Sequence, residues 1–459
     1  MRFGIVLALS LAATSLMGAP AETPTGKGPF TFHRDVEPIM QARCQGCHRP
    51  GEAAPMSFLS YDEVRPWAKA IRQAVLQKKM PPWFAEASDN RFRNDHRLSE
   101  REISTLVAWA DQGAPQGDSA DAPPPREFVE GWRIGTPDVV FKLPEAFEVP
   151  ATGDVEYRYI WIETGFTEDK WIKAAEIRPG NRRVVHHVNV SSRVPEPGSK
   201  IPLGKFYTFD TVTARRKAGK TEQMFDSNLD SEWIGTFAPG TTPNLSAPGQ
   251  ARLVKAGSYL LFQIHYTSTG QPETDQSEIG LIFADKPPQE RIKTVAVQNF
   301  NFTIPPGAGN HPIKARALVT YPIRINGHLP HMHLRGKSFE MRAILPDGRV
   351  KSLIRIPKYD FNWQLTYYLK EPQVIPAGTI LEVNGWFDNS ANNPANPDPS
   401  AEVIYGEQTW NEMLGGVMDI VVEPDFAVDS IFAMPPDTKA AASPDATVRA
   451  SADAKAGKL

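Results

Sequence analysis

SYLLFQIHYT, residues 258–267, is a short run whose apolar side chains fall on alternate positions, the period of a half-buried strand. The stretches 156–161, 184–190 (VVHHVNV) and 338–344 read the same way, and clusters of Gly, Pro and Asn separate them. Many short strands at that spacing predict all-β sandwiches of jelly-roll-like form. No helical patterns of 10–15 residues alternate with the strands, which excludes a parallel βαβ fold. The β region is long enough for two sandwiches, expected over 129–287 and 288–435 with the boundary near Lys286–Arg291. Beyond Pro435 the chain is rich in Ala, Lys, Asp and Ser, so residues 436–459 are expected to form a disordered tail.

Upstream the period changes. Phe32, Val36, Ile39 and Met40 lie near helical spacing, and Val64, Trp67, Ala68, Ile71, Val75 and Leu76 repeat the pattern over 61–78. Ser99 with Glu102 is a capping-box start for a third helix that ends at Gly113. A small all-α domain is therefore expected over 28–117, followed by a linker over 118–128 marked by Pro123, Pro124 and Pro125. At the start, Met1-Arg2, an apolar run to Met17 and the small residues Ala19-Pro20-Ala21 predict a secretory signal peptide over 1–21, cleaved after Ala19 or Ala21. The run is short for a membrane span. The expectation is an exported protein, periplasmic or secreted, with no stable membrane insertion.

Of 459 residues 22% are charged, with a formal net charge of -3, so the chain carries no basic field for nucleic acid. It has only two cysteines, three residues apart, so its large C-terminal part must hold together without disulfides.

Those cysteines are chemically specific. Cys44-Gln45-Gly46-Cys47-His48 is a C-x-x-C-H sequence, the pattern of covalent c-type haem attachment. Both thiols fall on one helical face to meet the two vinyl groups of one porphyrin, and His48 can ligate the iron beneath the ring. Zinc would need a second cysteine pair, and a redox dithiol a βαβ context; neither exists. The sixth iron ligand is expected from Met80, in the stiff loop Lys79-Met80-Pro81-Pro82-Trp83, with Met56 and His33 as rivals.

Five of the ten histidines fall in three strand-like segments: His186 with His187, His265, and His331 with His333. At i and i+2 of a strand, His331 and His333 point to one face about 6.6 Å apart, where one metal can take both. His186 and His187 point to opposite faces of a flat strand and can share a metal only at a bulge, a twist or a strand end. Imidazole sets without cysteine suit copper, zinc, iron or nickel, and geometry alone does not choose.

Val185-His186-His187-Val188 resembles the His-His motif of the copper type II, ascorbate-dependent monooxygenases, the peptidylglycine α-hydroxylating and dopamine β-monooxygenase group. Gln263-Ile264-His265-Tyr266 resembles their second motif, Pro330-His331-Met332-His333 their His-x-His, and Gln408-Thr409-Trp410-Asn411-Glu412-Met413 the segment with their methionine ligand. The order of the four is the family's. The residues around Cys44 separately resemble the cytochrome c domain fused ahead of such enzymes in bacteria.

The resemblance implies two coppers and one covalent haem. His186, His187 and His265 would hold the electron-donating copper, and His331, His333 and Met413 the catalytic copper that meets O2, with Met418 the nearest rival to Met413. The expected reaction is hydroxylation of a C–H bond of a small-molecule substrate, with electrons from the haem, ascorbate or a redox partner protein. The alternative is an electron-transfer cytochrome whose β domains store or deliver copper without hydroxylation. Peptide-amidating members bind the peptide carboxylate with an Arg, an Asn and a Tyr where this chain has Leu329, Gly415 and Val417. None of these pairs with a carboxylate, which argues against a peptidylglycine substrate.

Overall fold

The computed structural model describes residues 28–52, 54–86, 91–208, 225–226, 231–426 and 431–436. The expected signal peptide (1–21) and the expected tail beyond residue 436 lie outside the described residues.

The chain is mostly β-sheet, arranged around two sandwich cores. In the first, a four-stranded antiparallel sheet runs Arg158–Glu163, Tyr259–Tyr266, Val185–Arg193, Ser231–Phe237 in spatial order. The alternation in residues 258–267 does what it predicts: Leu260, Phe262 and Ile264 are buried and meet Ile172, Ile177, Ile279 and Leu281 from the facing sheet. In the second, strands Glu290–Gln298, Gly415–Val422, Ile323–His331 and Tyr367–Ile375 face a five-stranded sheet containing Gly336–Ile344 and Ile380–Phe387. Val297, Ile325, Met418 and Ile420 fill that core with Phe339, Met341, Leu381 and Val383.

The two sandwiches are not separate bodies. Strand Gln250–Val254 runs parallel to Glu290–Gln298, pairing Gln250 with Glu290 and Ala251 with Arg291, so one ten-stranded sheet passes through both. Side chains seal the joint: Arg252 Nη2 donates to Asp419 Oδ2 at 2.7 Å, and Glu232 pairs with Arg291 and with Lys293 Nζ at 3.1 Å. These charges are almost wholly buried and mutually paired, the only arrangement in which they are tolerated there.

The N-terminal part has the three expected helical stretches, residues 32–44, 61–76 and Glu100–Asp111, the last with its Ser99–Glu102 capping box. Phe32, Val36, Met40, Val64, Leu106 and Trp109 close a small core between them. The self-contained domain expected over 28–117 is not what forms. Between the second and third helices the chain leaves this core, and Trp83, Ala85 and Phe92 join the core of the second sandwich. Phe92 bridges to Leu369, Arg93 N donates to the Tyr368 carbonyl at 2.9 Å, and Trp83 meets Tyr367 edge-on at 4.9 Å. The reason is burial: the helical core is too small to cover two large aromatic rings, and the sandwich edge covers them. The expected linker is also fastened, since Gln41 Nε2 donates to the Pro124 carbonyl at 3.0 Å and Arg49 lies over the Phe128 ring at 4.4 Å. No helix among the described residues is long and apolar enough to cross a membrane.

Candidate metal centre

His186 is the second residue of strand Val185–Arg193, and the strand is irregular there. His187 pairs with His265 and Val185 with Tyr266, so His186 is the extra residue of a β-bulge. The bulge turns His186 out of strict alternation, to the side where His187 lies. One ligand atom from each of His186, His187 and His265 falls within 4.8 Å of the others. His186 Nδ1 and His187 Nδ1 stand 3.4 Å apart, close to the about 3.3 Å expected of two nitrogens tetrahedrally bound to one ion. Thr409 Oγ1 contacts His265 Nε2 at 3.3 Å, while His265 Nδ1 is buried with no partner. A buried imidazole nitrogen without a partner, on a ring that converges with two others, is what a metal-ligand position would leave.

The second pair departs from the expected strand geometry. His331 is the last residue of its strand, and His333 lies beyond it in the following loop, so the two do not share a face by strand periodicity. The chain turns because Met332 buries into the second core and Glu412 gathers the loop's amides. Glu412 accepts from His333 N at 2.9 Å and Arg335 N at 2.6 Å. The imidazoles still converge, with ring centres 5.2 Å apart and nearly perpendicular. Gln364 Oε1 holds His331 Nδ1 at 2.8 Å and the Asn411 carbonyl holds His333 Nδ1 at 3.2 Å, leaving His333 Nε2 buried and unpartnered. Partners of this kind fix the tautomer that presents Nε2 to a metal. Met413 is half-buried, two residues before Gly415, which pairs with His331 across the sheet. The rival Met418 is buried in the core beside Ile420.

One aromatic ring separates the two sets. Phe361 stacks on His186 at 5.1 Å and meets His333 edge-on at 5.9 Å. The segment 407–409 of the second sandwich reaches back to the first: Gln408 Oε1 accepts from Tyr157 N at 3.2 Å, and Tyr159 donates its hydroxyl to Glu407. Tyr157 in turn packs on His187 at 5.2 Å and His265 at 4.8 Å. Phe361, Gln364, Thr409 and Glu412 carry no spacing signal, and sequence reasoning missed their roles. Glu412 lies inside a quoted motif, yet only the fold shows what it holds.

Electrostatics suit neutral ligands. Burial lowers His186 to about 4 and His265 to about 3; it also lowers His331, and it takes His187 and His333 well below the ordinary imidazole range, with neighbouring rings adding to the effect. All five are therefore unprotonated at neutral pH, as metal ligation requires. Burial also pushes the Glu412 carboxyl up to about 8, against the pull of the Arg335 and His333 amides.

At the N-terminal motif, Cys44 closes the first helical stretch, and the amides of Cys47 and His48 donate to its carbonyl at 3.1 and 2.9 Å. Both thiols are free, and burial raises them, Cys44 to about 12. His48 stacks on Phe58 at 4.3 Å, and its Nδ1 is buried without a partner. Met56 packs against this helical core, whereas Met80 stands at the exit toward the second sandwich. His33 is held by Glu37 at 2.8 Å.

At Leu329 and Val417 the two strands pair directly, and Gly415 pairs with His331, so the three positions form an apolar strip beside the second histidine pair.

No family model matches the chain, and no curated protein matches it. Among solved structures, a chain of infectious bursal disease virus (Gt strain) is similar at 11% identity over 68% of this chain and 77% of that one, with a TM-score of 0.18. A chain of Sulfolobus turreted icosahedral virus is similar at 14% identity over 68% and 95%, with a TM-score of 0.20. Likeness at this level carries no argument about fold or function.

Proposed function

We propose that the chain is a copper-dependent monooxygenase that hydroxylates a C–H bond of a small molecule with O2. Electrons would come from a haem held by Cys44, Cys47 and His48, or from ascorbate or a redox partner protein. The observation that carries this reading is the convergence of His186, His187 and His265, with buried unpartnered nitrogens on His186 and His265, across one phenyl ring from His331 and His333. The proposed donor sets also differ: three imidazoles suit a centre that passes an electron, whereas two imidazoles completed by a Met413 thioether would favour Cu(I).

Bound copper would supply one-electron redox chemistry at both sites and the reduction of O2 at the second. The chain's own residues do the rest. Gln364 and the Asn411 carbonyl orient the His331 and His333 rings, and Glu412 fixes the loop between them. Phe361 packs against a ring of each set, and Tyr157 packs against His187 and His265. Leu329 and Val417 offer an apolar wall, which fits a substrate without a carboxylate at that point.

The residues around Cys44 fit haem attachment, with two unpaired thiols and a histidine nitrogen lacking any partner. The helical residues of 28–117 are then a c-type cytochrome unit, with Met80 as proposed sixth ligand and Met56 as the rival packed on the core. Covalent haem and the leader-like start agree on export to the periplasm or beyond.

Copper counting with electron paramagnetic resonance tests the reading. The full chain should hold two type II coppers, His265→Ala and His331→Ala should each lose a different one, and haem should stay. A chain that binds no copper stoichiometrically would refute it. A storage protein would load both ions but consume no O2.

A further inference from the structure

The loop carrying the haem motif does not hang free of the sandwiches. Glu52, four residues past His48, pairs with Arg182, Nη1 to Oε2 at 3.3 Å, and only 17% and 15% of these side chains remain exposed. Arg182 belongs to the loop that feeds strand Val185–Arg193, four residues ahead of His186. Its guanidinium also covers the Phe237 ring at 5.3 Å. Glu52 takes a second cation, Arg49 Nη2 at 2.7 Å, and Arg49 lies over Phe128. Arg133 and Arg178 act on Arg182 as like charges, and Arg133 is held off by Glu176, Nε to Oε1 at 3.4 Å. Among charges of one sign, Glu52 is the carboxylate from the helical part that makes the contact attractive. Removing either partner of so desolvated a pair strands a charge, which makes the contact resist opening.

We infer that Arg182 is a positioning residue, latching the haem-attachment loop onto the loop that delivers His186 and His187 and so fixing the separation of the two redox sites. The inference rests on the haem and copper reading above. In the step it would serve, a haem held by Cys44, Cys47 and His48 would lose one electron, Fe(II) to Fe(III), to copper held by His186, His187 and His265, Cu(II) to Cu(I), with no proton moved. An external one-electron donor would re-reduce the haem.

The test uses the full chain loaded with haem and Cu(II). Haem is reduced by a light pulse without O2, and its reoxidation by copper is followed, alongside the ferric haem–Cu(II) distance distribution from pulsed paramagnetic resonance. Arg182→Gln should slow the transfer at least tenfold and broaden the distance distribution, with copper count and haem potential unchanged. Arg182→Lys should recover most of the rate. Glu52→Gln carries the same test from the other side if Arg182→Gln fails to fold. Wild-type rates and distances in both neutral variants at full loading would overturn the latch. Absence of transfer in the wild-type chain at full loading would instead remove the relay itself, and the latch with it.

Discussion

At the scale of single residues, the proposed ligand set and its supports come from different parts of the chain. The histidines and Cys44-x-x-Cys47-His48 stand out in the sequence because few residue types bind metals and their clustering is visible at short range, whereas Met413 stands out only through the order of the motifs it resembles. Gln364 and Phe361 do not stand out, because they reach His331 and His186 only after the chain folds back from a distant loop. These supports make sharp expectations. Gln364→Ala removes the acceptor that fixes the His331 ring and should weaken copper at the second site 10- to 100-fold while leaving the three-histidine site unchanged, measured by competitive copper titration. Equal weakening at both sites would mean that Gln364 acts on the fold instead. Glu412 accepts two backbone amides through two oxygens. Glu412→Gln turns one oxygen into a donor facing an amide, and should cost about 1–3 kcal/mol in chemical denaturation.

At the scale of elements, alternation announced the strands, yet it could not place the bulge at His186, because an extra residue is defined by the partner strand and not by its own sequence. The same limit hid the end of the His331 strand. Residues 81–86 and 91–97 depart further from the sequence reading: their helical neighbours point to one domain, while the destination of Trp83 and Phe92 is set by a sandwich edge about 280 residues away in sequence. Trp83 is 7% exposed in the second core, so Trp83→Ala should cost about 3–5 kcal/mol and expose residues 81–86 and 91–97 to proteolysis, while the Ser99-capped helix stays protected in hydrogen exchange. If the proteolytic pattern is unchanged, the segment is not held by the sandwich.

At the scale of the whole molecule, the buried histidines tie stability to pH. His48, His186, His187, His265, His328, His331 and His333 all have lowered values in the folded chain. Between those values and the unfolded value near 6.5 the unfolded chain binds more protons. Stability of the metal-free protein is thus full above about pH 6.5 and falls as pH drops toward the folded values of about 4 for His186 and His328. Glu412, raised to about 8, works the other way, as one group against seven. Melting temperature should therefore drop between pH 7 and 5, and bound copper should blunt the drop because it binds only the folded site. A flat profile would contradict the buried, neutral state of these rings. The architecture joins helical core, first sandwich and second sandwich through Arg182, one continuous sheet and the packing of Trp83, Ala85 and Phe92, which would serve the proposed path from haem to copper to O2. The most direct measurement is the rate of haem oxidation when anaerobically reduced protein meets O2. Copper-loaded wild type should oxidise faster than both the copper-free chain and Met413→Ile, and equal rates in all three would contradict the account.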